Sequence, residues 1–168
     1  MSGILGANLR KTGNINRDYA FHARLSSDQG TPSSTPNHKV ELDAMVGNFR
    51  NNTFDTGNNR FFVPITGKWQ INYALKFNDN HTYFMKTKLK VNGSAIDQGF
   101  LMGLGSITGM SDNESPVMTW GGVIILAAGS YLELWCHPHV NSTIKHQITD
   151  GTDTTSGVTF MSGHFIGV

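Results

Sequence analysis

One cysteine, Cys136, serves a chain of 168 residues, so no internal disulfide can staple the fold and packing has to hold it. A single domain of this size buries roughly 70% of the surface its unfolded chain exposes, so neither disulfide nor metal is required. Charge is scarce too. Charged residues make up 15% of the chain, against roughly 25% in ordinary globular proteins. Lys and Arg number 13 against 12 Asp and Glu, leaving a formal charge of +1. No dense basic run is present to track a phosphate backbone, so nucleic acid is not an expected partner. No stretch approaches the roughly 18 apolar residues of a membrane span, and the segment from Met1 to Asn16 has no apolar signal-peptide core. The expectation is a protein without membrane insertion, made without a secretory signal. Catalytic signatures are missing as well: no Gly-x-Ser-x-Gly, no His-Glu-x-x-His and no glycine loop that cradles phosphate. The chain reads as a non-enzyme.

A helical stripe is the last thing missing, and its place is taken by period-two alternation, which decides the fold class as all-β. In "KWQINYALKF", Trp69, Ile71, Tyr73, Leu75 and Phe77 share one face, while Gln70, Asn72, Ala74 and Lys76 share the other. In "TYFMKTKLKV", Thr87, Leu89 and Val91 oppose Lys86, Lys88 and Lys90. Both predict strands with one face on a core and one toward water, and the three lysines read as a wet face. Turn signals break these runs at short intervals: residues 55–59, 78–80, 129–130 and 150–153, with Asn92-Gly93 supplying the positive φ values of a hairpin turn. "SSDQGTPSSTPNHK", Ser26 to Lys39, is polar and has two prolines, which predicts a surface loop. Nineteen glycines suit many short strands joined by turns, and such a chain points to an antiparallel sandwich or jelly roll. Met1 to Asn16 stand apart as an N-terminal arm, with the domain occupying 17–168. The arm carries Ile4, Leu5 and Leu9 beside the cations Arg10 and Lys11, too little to fold alone.

Three blocks, in order, resemble the globular C1q domain of the complement C1q/tumour necrosis factor jelly-roll superfamily. "NTFDTGNNRFFVPITGKWQINYAL" resembles its aromatic-x-x-Pro-x-x-Gly signature and the aromatic strand that follows, at Phe61, Pro64, Gly67, Trp69 and Tyr73. "TWGGVIILAAGSYLELW" resembles its Gly-Gly aliphatic strand, glycine turn and next strand, and "GVTFMSGHFIGV" its closing strand. "YAFHARL" stands in the place of the first strand, and residues 100–116 match least. The resemblance implies a ten-strand jelly roll of two sheets, assembled as a homotrimer. The closing strand is apolar on both faces, Val158, Phe160 and Ile166 against Met161 and Phe165, so a neighbouring subunit is the expected second cover. Phe61, Trp69, Tyr73, Trp135, Phe160 and Phe165 are the aromatics assigned to the core or the trimer interface.

Cys136, His137 and His139 are donors of the kind zinc or copper takes. On a strand, however, Cys136 points away from the two histidines, so an intrachain zinc site is not expected. Threefold symmetry would present His137, His139 or His164 three times near an axis. Calcium, a family-derived idea, would need Asp150 and Asp153 or Asp112 and Glu114, which lack the spacing of a calcium loop and read as turn residues. No cofactor is expected.

The resulting expectation is a non-enzymatic trimer that works by adhesion. Its leading form is a bacteriophage virion component, a head fibre or decoration protein or a tail-fibre tip. The arm would dock on capsid or tail proteins, and loops bearing Asn78, Asp79, Asn113 and Asn141 would face a host glycan or protein. The alternative is a soluble, extracellular C1q-like recognition protein for a carbohydrate or protein ligand.

Overall fold

The computed structural model describes residues 19–31, 37–47, 49, 52–78, 85–96, 102–104, 117–137, 142–146 and 158–168. The arm, Asp79, Asp112, Asn113, Glu114, His139, Asn141, Asp150 and Asp153 lie outside them. Within them every regular element is a strand: β1 (Ala20–Arg24), β2 (Gln29–Thr31), β3 (His38–Lys39), β4 (Ala44–Met45), β5 (Phe54–Asp55), β6 (Arg60–Phe62), β7 (Gly67–Asn78), β8 (Met85–Val91), β9 (Ser94–Ala95), β10 (Met102–Leu104), β11 (Val117–Leu126), β12 (Tyr131–His137), β13 (Ser142–Lys145) and β14 (Phe160–Gly167). Ten of these fourteen are three residues or longer, the size of fold that the sequence blocks imply. Asn78, expected in a turn, is the last residue of β7.

All pairings are antiparallel, and they form two sheets. In the first, β7 is central: β11 lies along one edge from Gly67 to Lys76, and β14 along the other from Lys68 to Ala74. Where β14 stops, β13 takes over along Lys76 to Asn78. β1 flanks β14 and β4 flanks β1, while β2 flanks β13. The second sheet runs β10-β8-β12-β6-β5, with β3 on β12 and β9 on β8. The sheets face each other as an antiparallel jelly-roll sandwich.

Alternation positions the core. Trp69, Ile71, Tyr73, Leu75 and Phe77 of β7 are buried, as are Phe21 and Ala23 of β1 and Met161 and Phe165 of β14. Leu89, Leu132, Leu134 and Cys136 meet them from the second sheet. An aromatic chain runs through the centre: Phe21 stacks on Phe61 at 4.1 Å, Phe61 meets Trp69 edge-on at 5.0 Å, and Trp69 meets Phe165 at 5.5 Å. Such offset and edge contacts suit the ring quadrupole. One buried hydrogen bond ties the layers across this apolar space, between Tyr73 Oη and Thr87 Oγ1 at 2.7 Å.

Two expectations need correction. The outer side of β7 does not stay toward water, because Ala74 and Lys76 are buried where the strand is flanked on both edges. Ser26 to Lys39 is not loop throughout, since β2 and β3 lie within it. Gln29 holds them together, donating from Nε2 to the Lys39 carbonyl at 2.7 Å and accepting from the Glu41 N–H at 2.9 Å.

Candidate functional site

The outward face of the first sheet is the surface on which alternation places apolar side chains without a cover. On β11 the outward positions are Val117, Thr119, Gly121, Val123 and Ile125, opposite the inward Ile124 and Leu126. Register then aligns them across the sheet. Val123 faces Gln70, which faces His164, which faces Ala20. Gly121 faces Asn72, Ser162 and His22 in turn, and Thr119 faces Ala74, Phe160 and Arg24. The Asn72 side chain lies over Gly121, where an added Cβ would come within 2.5 Å of its Oδ1. Ile125 is 75% exposed and Val123 50%, far from the burial usual for aliphatics of this size.

Further exposed apolar side chains lie just across β7 from Ile125, where Lys68 pairs with both Ile125 and Gly167, and beyond β1. The register of β14 against β7 shifts between Phe165 and Gly167, a bulge that leaves Ile166 turned out and exposed. Val168 follows at 91% exposed, with Lys68 donating to its carbonyl at 3.5 Å. Beyond β1, Val46 and Phe49 are exposed, and the Val46 N–H donates to the His22 carbonyl at 2.8 Å. His22 sits between these groups with its ring 5.1 Å from Phe160. Burial, and then the Arg24 charge, lower its pKa from the ordinary histidine value.

Behind the β11 edge, a groove of about 480 Å³ opens between that strand and the β8–β9 hairpin, lined by Val91, Ile96, Val123, Ile125 and Lys68 among others. Val123 and Ile125 are the residues that reading the sequence did not single out. The signal was present: "GGVIIL" is apolar at consecutive positions, so a strand there is apolar on both faces, as argued for β14.

Of the aromatics assigned to core or interface, Phe61, Trp69, Tyr73 and Phe165 are buried, and Phe160 lies half-buried on the outward face of the first sheet. Trp135 is not in the core. It is half-buried on the outward face of the second sheet, its Nε1 donating to Glu133 Oε2 at 3.0 Å. The opposing β3 brings Lys39 beside it in register, and a charged surround of that kind covers an outer ring.

Among the described residues the metal donors do not converge. Cys136 points into the core, where burial pushes its thiol up to about 12, while His137 lies half-buried with the outward positions of β12. His164 is exposed in mid-sheet. Among the described residues no group of three or more His, Cys, Asp or Glu is arranged to hold a metal ion, and no helix is long and apolar enough to cross a membrane. His139, Asp150 and Asp153 lie outside the described residues.

No protein-family profile matches the chain, and no curated protein does. Among solved structures it is similar to Eiger TNF from S. frugiperda, with a TM-score of 0.55 at 12% identity, covering 88% of this chain and 90% of that one. It is also similar to murine APRIL at pH 5.0, with a TM-score of 0.54 at 16% identity over 88% of this chain and 98% of that one. Murine APRIL at pH 8.5 gives 0.53 at 15% identity, over 88% and 100%. At these identities the likeness is one of fold, that of a TNF-like jelly roll.

Proposed function

We propose that the protein is a non-enzymatic homotrimer whose outward first-sheet face is its self-association surface. The observation that carries this is the position of the exposed apolar groups: Val117, Val123 and Ile125 on the β11 edge, with Ile166 and Val168 just across β7 from Ile125, and Val46 and Phe49 after β4 on the other side. Two different patches on one sheet suit a heterologous contact, one patch of each subunit meeting the other patch of the next, which closes into a ring. Clustered exposed apolar side chains of this kind suit a protein–protein contact.

The finer reading is a virion component, a phage head fibre, decoration protein or tail-fibre tip, anchored by residues 1–16. It is supported by multivalency. Three short arms leaving one trimer dock together, so Ile4, Leu5, Leu9, Arg10 and Lys11 need only weak individual contacts. A soluble C1q-like recognition protein is the second reading, favoured by a cationic outer face on the second sheet described below. Light scattering on the full chain should give three times the subunit mass of 18.4 kDa. Deleting residues 1–16 should leave that trimer intact while abolishing its incorporation into particles. A monomer at micromolar concentration overturns the assembly, and normal incorporation of the truncated protein overturns the anchor.

A further inference from the structure

The outward face of the second sheet concentrates cations in fixed positions. Lys86, Lys88 and Lys90 occupy alternate positions of β8, which spaces them about 7 Å apart along a straight row. Register sets Lys88 against Trp135, and Trp135 against Lys39 on its other side. The one carboxylate on β12, Glu133, is already committed: Oε1 accepts from Lys39 Nζ at 3.0 Å and Oε2 from Trp135 Nε1 at 3.0 Å.

Lys88 and Lys90 are held rather than loose, while Lys86 is exposed. Lys88 Nζ donates to Asn37 Oδ1 at 2.5 Å, and Lys90 Nζ sits 3.4 Å from the centre of the Trp135 ring. The Arg60 guanidinium lies over both Phe62, at 4.6 Å, and Tyr131, at 5.0 Å, and its Nε is 3.7 Å from Asp55 Oδ2, so it is paired and stands apart from the lysine row. Cations fixed by aromatic faces lose little freedom when a ligand arrives, which favours binding. They also crowd one another. Burial, and then the Lys88 charge, lower the Lys90 pKa from the ordinary lysine value, with Glu133 pulling the other way, and an added anion would relieve that repulsion.

We propose that this face binds an acidic polysaccharide, its sulfate or carboxylate groups lying along the β8 lysine row. A linear polyanion fits a straight row on a flat sheet better than a compact anion, which would need a concave cradle of donors. Single-stranded nucleic acid fits less well, since it gains much of its affinity from bases stacked on open rings. Here the rings of Trp135, Phe62 and Tyr131 each carry one of the protein's own cations. The proposal names a partner class for the recognition reading above, yet it concerns the opposite sheet from the self-association face.

The test compares dextran sulfate, unsulfated dextran and a single-stranded oligonucleotide as probes of the full chain. Dextran sulfate should bind, and weaken steeply as salt rises; unsulfated dextran should not bind. Lys86→Glu with Lys88→Glu should lower dextran sulfate affinity by about tenfold or more, while Lys86→Arg with Lys88→Arg keeps it. Should the Glu pair fail to fold, Lys86→Gln with Lys88→Gln replaces it. Undiminished binding by the folded charge-removed variant overturns the proposal, as does equal binding of unsulfated dextran. An oligonucleotide bound as tightly, and lost with the same variant, would reassign the face to nucleic acid. Solution mass of the same variants separates the two claims: a trimer that has lost dextran sulfate counts for this face, and a monomer that still binds it counts against the assembly alone.

Discussion

Gly67 is the clearest case of a residue whose identity the fold dictates. It is buried with φ at +153°, and a Cβ there would lie 2.5 Å from the Gly167 carbonyl oxygen and 2.6 Å from the Phe165 ring. The glycine of the aromatic-x-x-Pro-x-x-Gly block therefore exists because two strands and a core ring converge on it. Gly129, at the β11–β12 turn, also has positive φ, +81°, but nothing lies within 4 Å of its added Cβ. The pair separates conformational strain from crowding. Gly129→Ala should cost about 1–2 kcal/mol, the ordinary penalty for left-handed backbone. Gly67→Ala should cost roughly 2–4 kcal/mol, because overpacking adds to the strain. Urea denaturation at one fixed protein concentration checks the order, and equal midpoints for the two variants would refute the crowding account.

The elements show where alternation is legible and where it stops being so. The inward faces of β7 and β14 could be read, since one residue in two is large and apolar, and Asn92-Gly93 could be read as a turn because both residues need the positive φ they adopt, 51° and 80°. β2 and β3 could not, because their pairing rests on backbone bonds and on Gln29 rather than on an apolar face. Trp135 could not be placed either: an aromatic on an outer face looks like a core residue until its neighbours Lys90, Glu133 and Lys39 are known. A further long-range tie was equally hidden. Asp28, beyond the end of β1, accepts from Lys145 Nζ at 2.8 Å and from the His146 N–H at 3.0 Å, and meets His146 Nδ1 at 2.6 Å, joining the β1–β2 connection to the end of β13. Partial burial pushes its carboxyl up, but the hydrogen bonds from Lys145 and His146, with the Lys145 charge, outweigh this and hold it down at about 2. A carboxyl depressed in the folded state contributes stability above its ordinary pKa near 3.8, and that contribution drains away as pH falls from there toward 2. Asp28→Asn should therefore lower the melting temperature at neutral pH and flatten its decline between pH 4 and about 2. Parallel melting curves for wild type and variant across that interval would remove Asp28 from the acid response.

At the scale of the whole molecule, the question is why evolution would leave Ile125 and Val123 on a sheet that the chain has enough polar residues to cover. An isolated jelly roll could place Thr or Lys at both, as β8 places lysines on its own outer face, with no loss to the core. Exposed aliphatics weaken solubility, and in the proposed trimer burial against another copy gives them a favourable contribution. Each such side chain contributes about 1.5–3 kcal/mol when fully covered, and threefold closure repeats the contact at every interface. Ile125→Lys should then raise the dissociation constant by more than about tenfold, since 1.4 kcal/mol per contact already gives that factor. Val123→Lys with Ile125→Lys should leave a folded monomer at micromolar concentration. Neither side chain belongs to the inward set of Ile124 and Leu126, so far-ultraviolet dichroism should stay that of an all-β protein and the loss should appear only in the mass. Sedimentation equilibrium gives the deciding number. A double-lysine variant that remains trimeric would move the interface off this face, and one that unfolds on dissociation would mean that the subunit cannot stand without its neighbours.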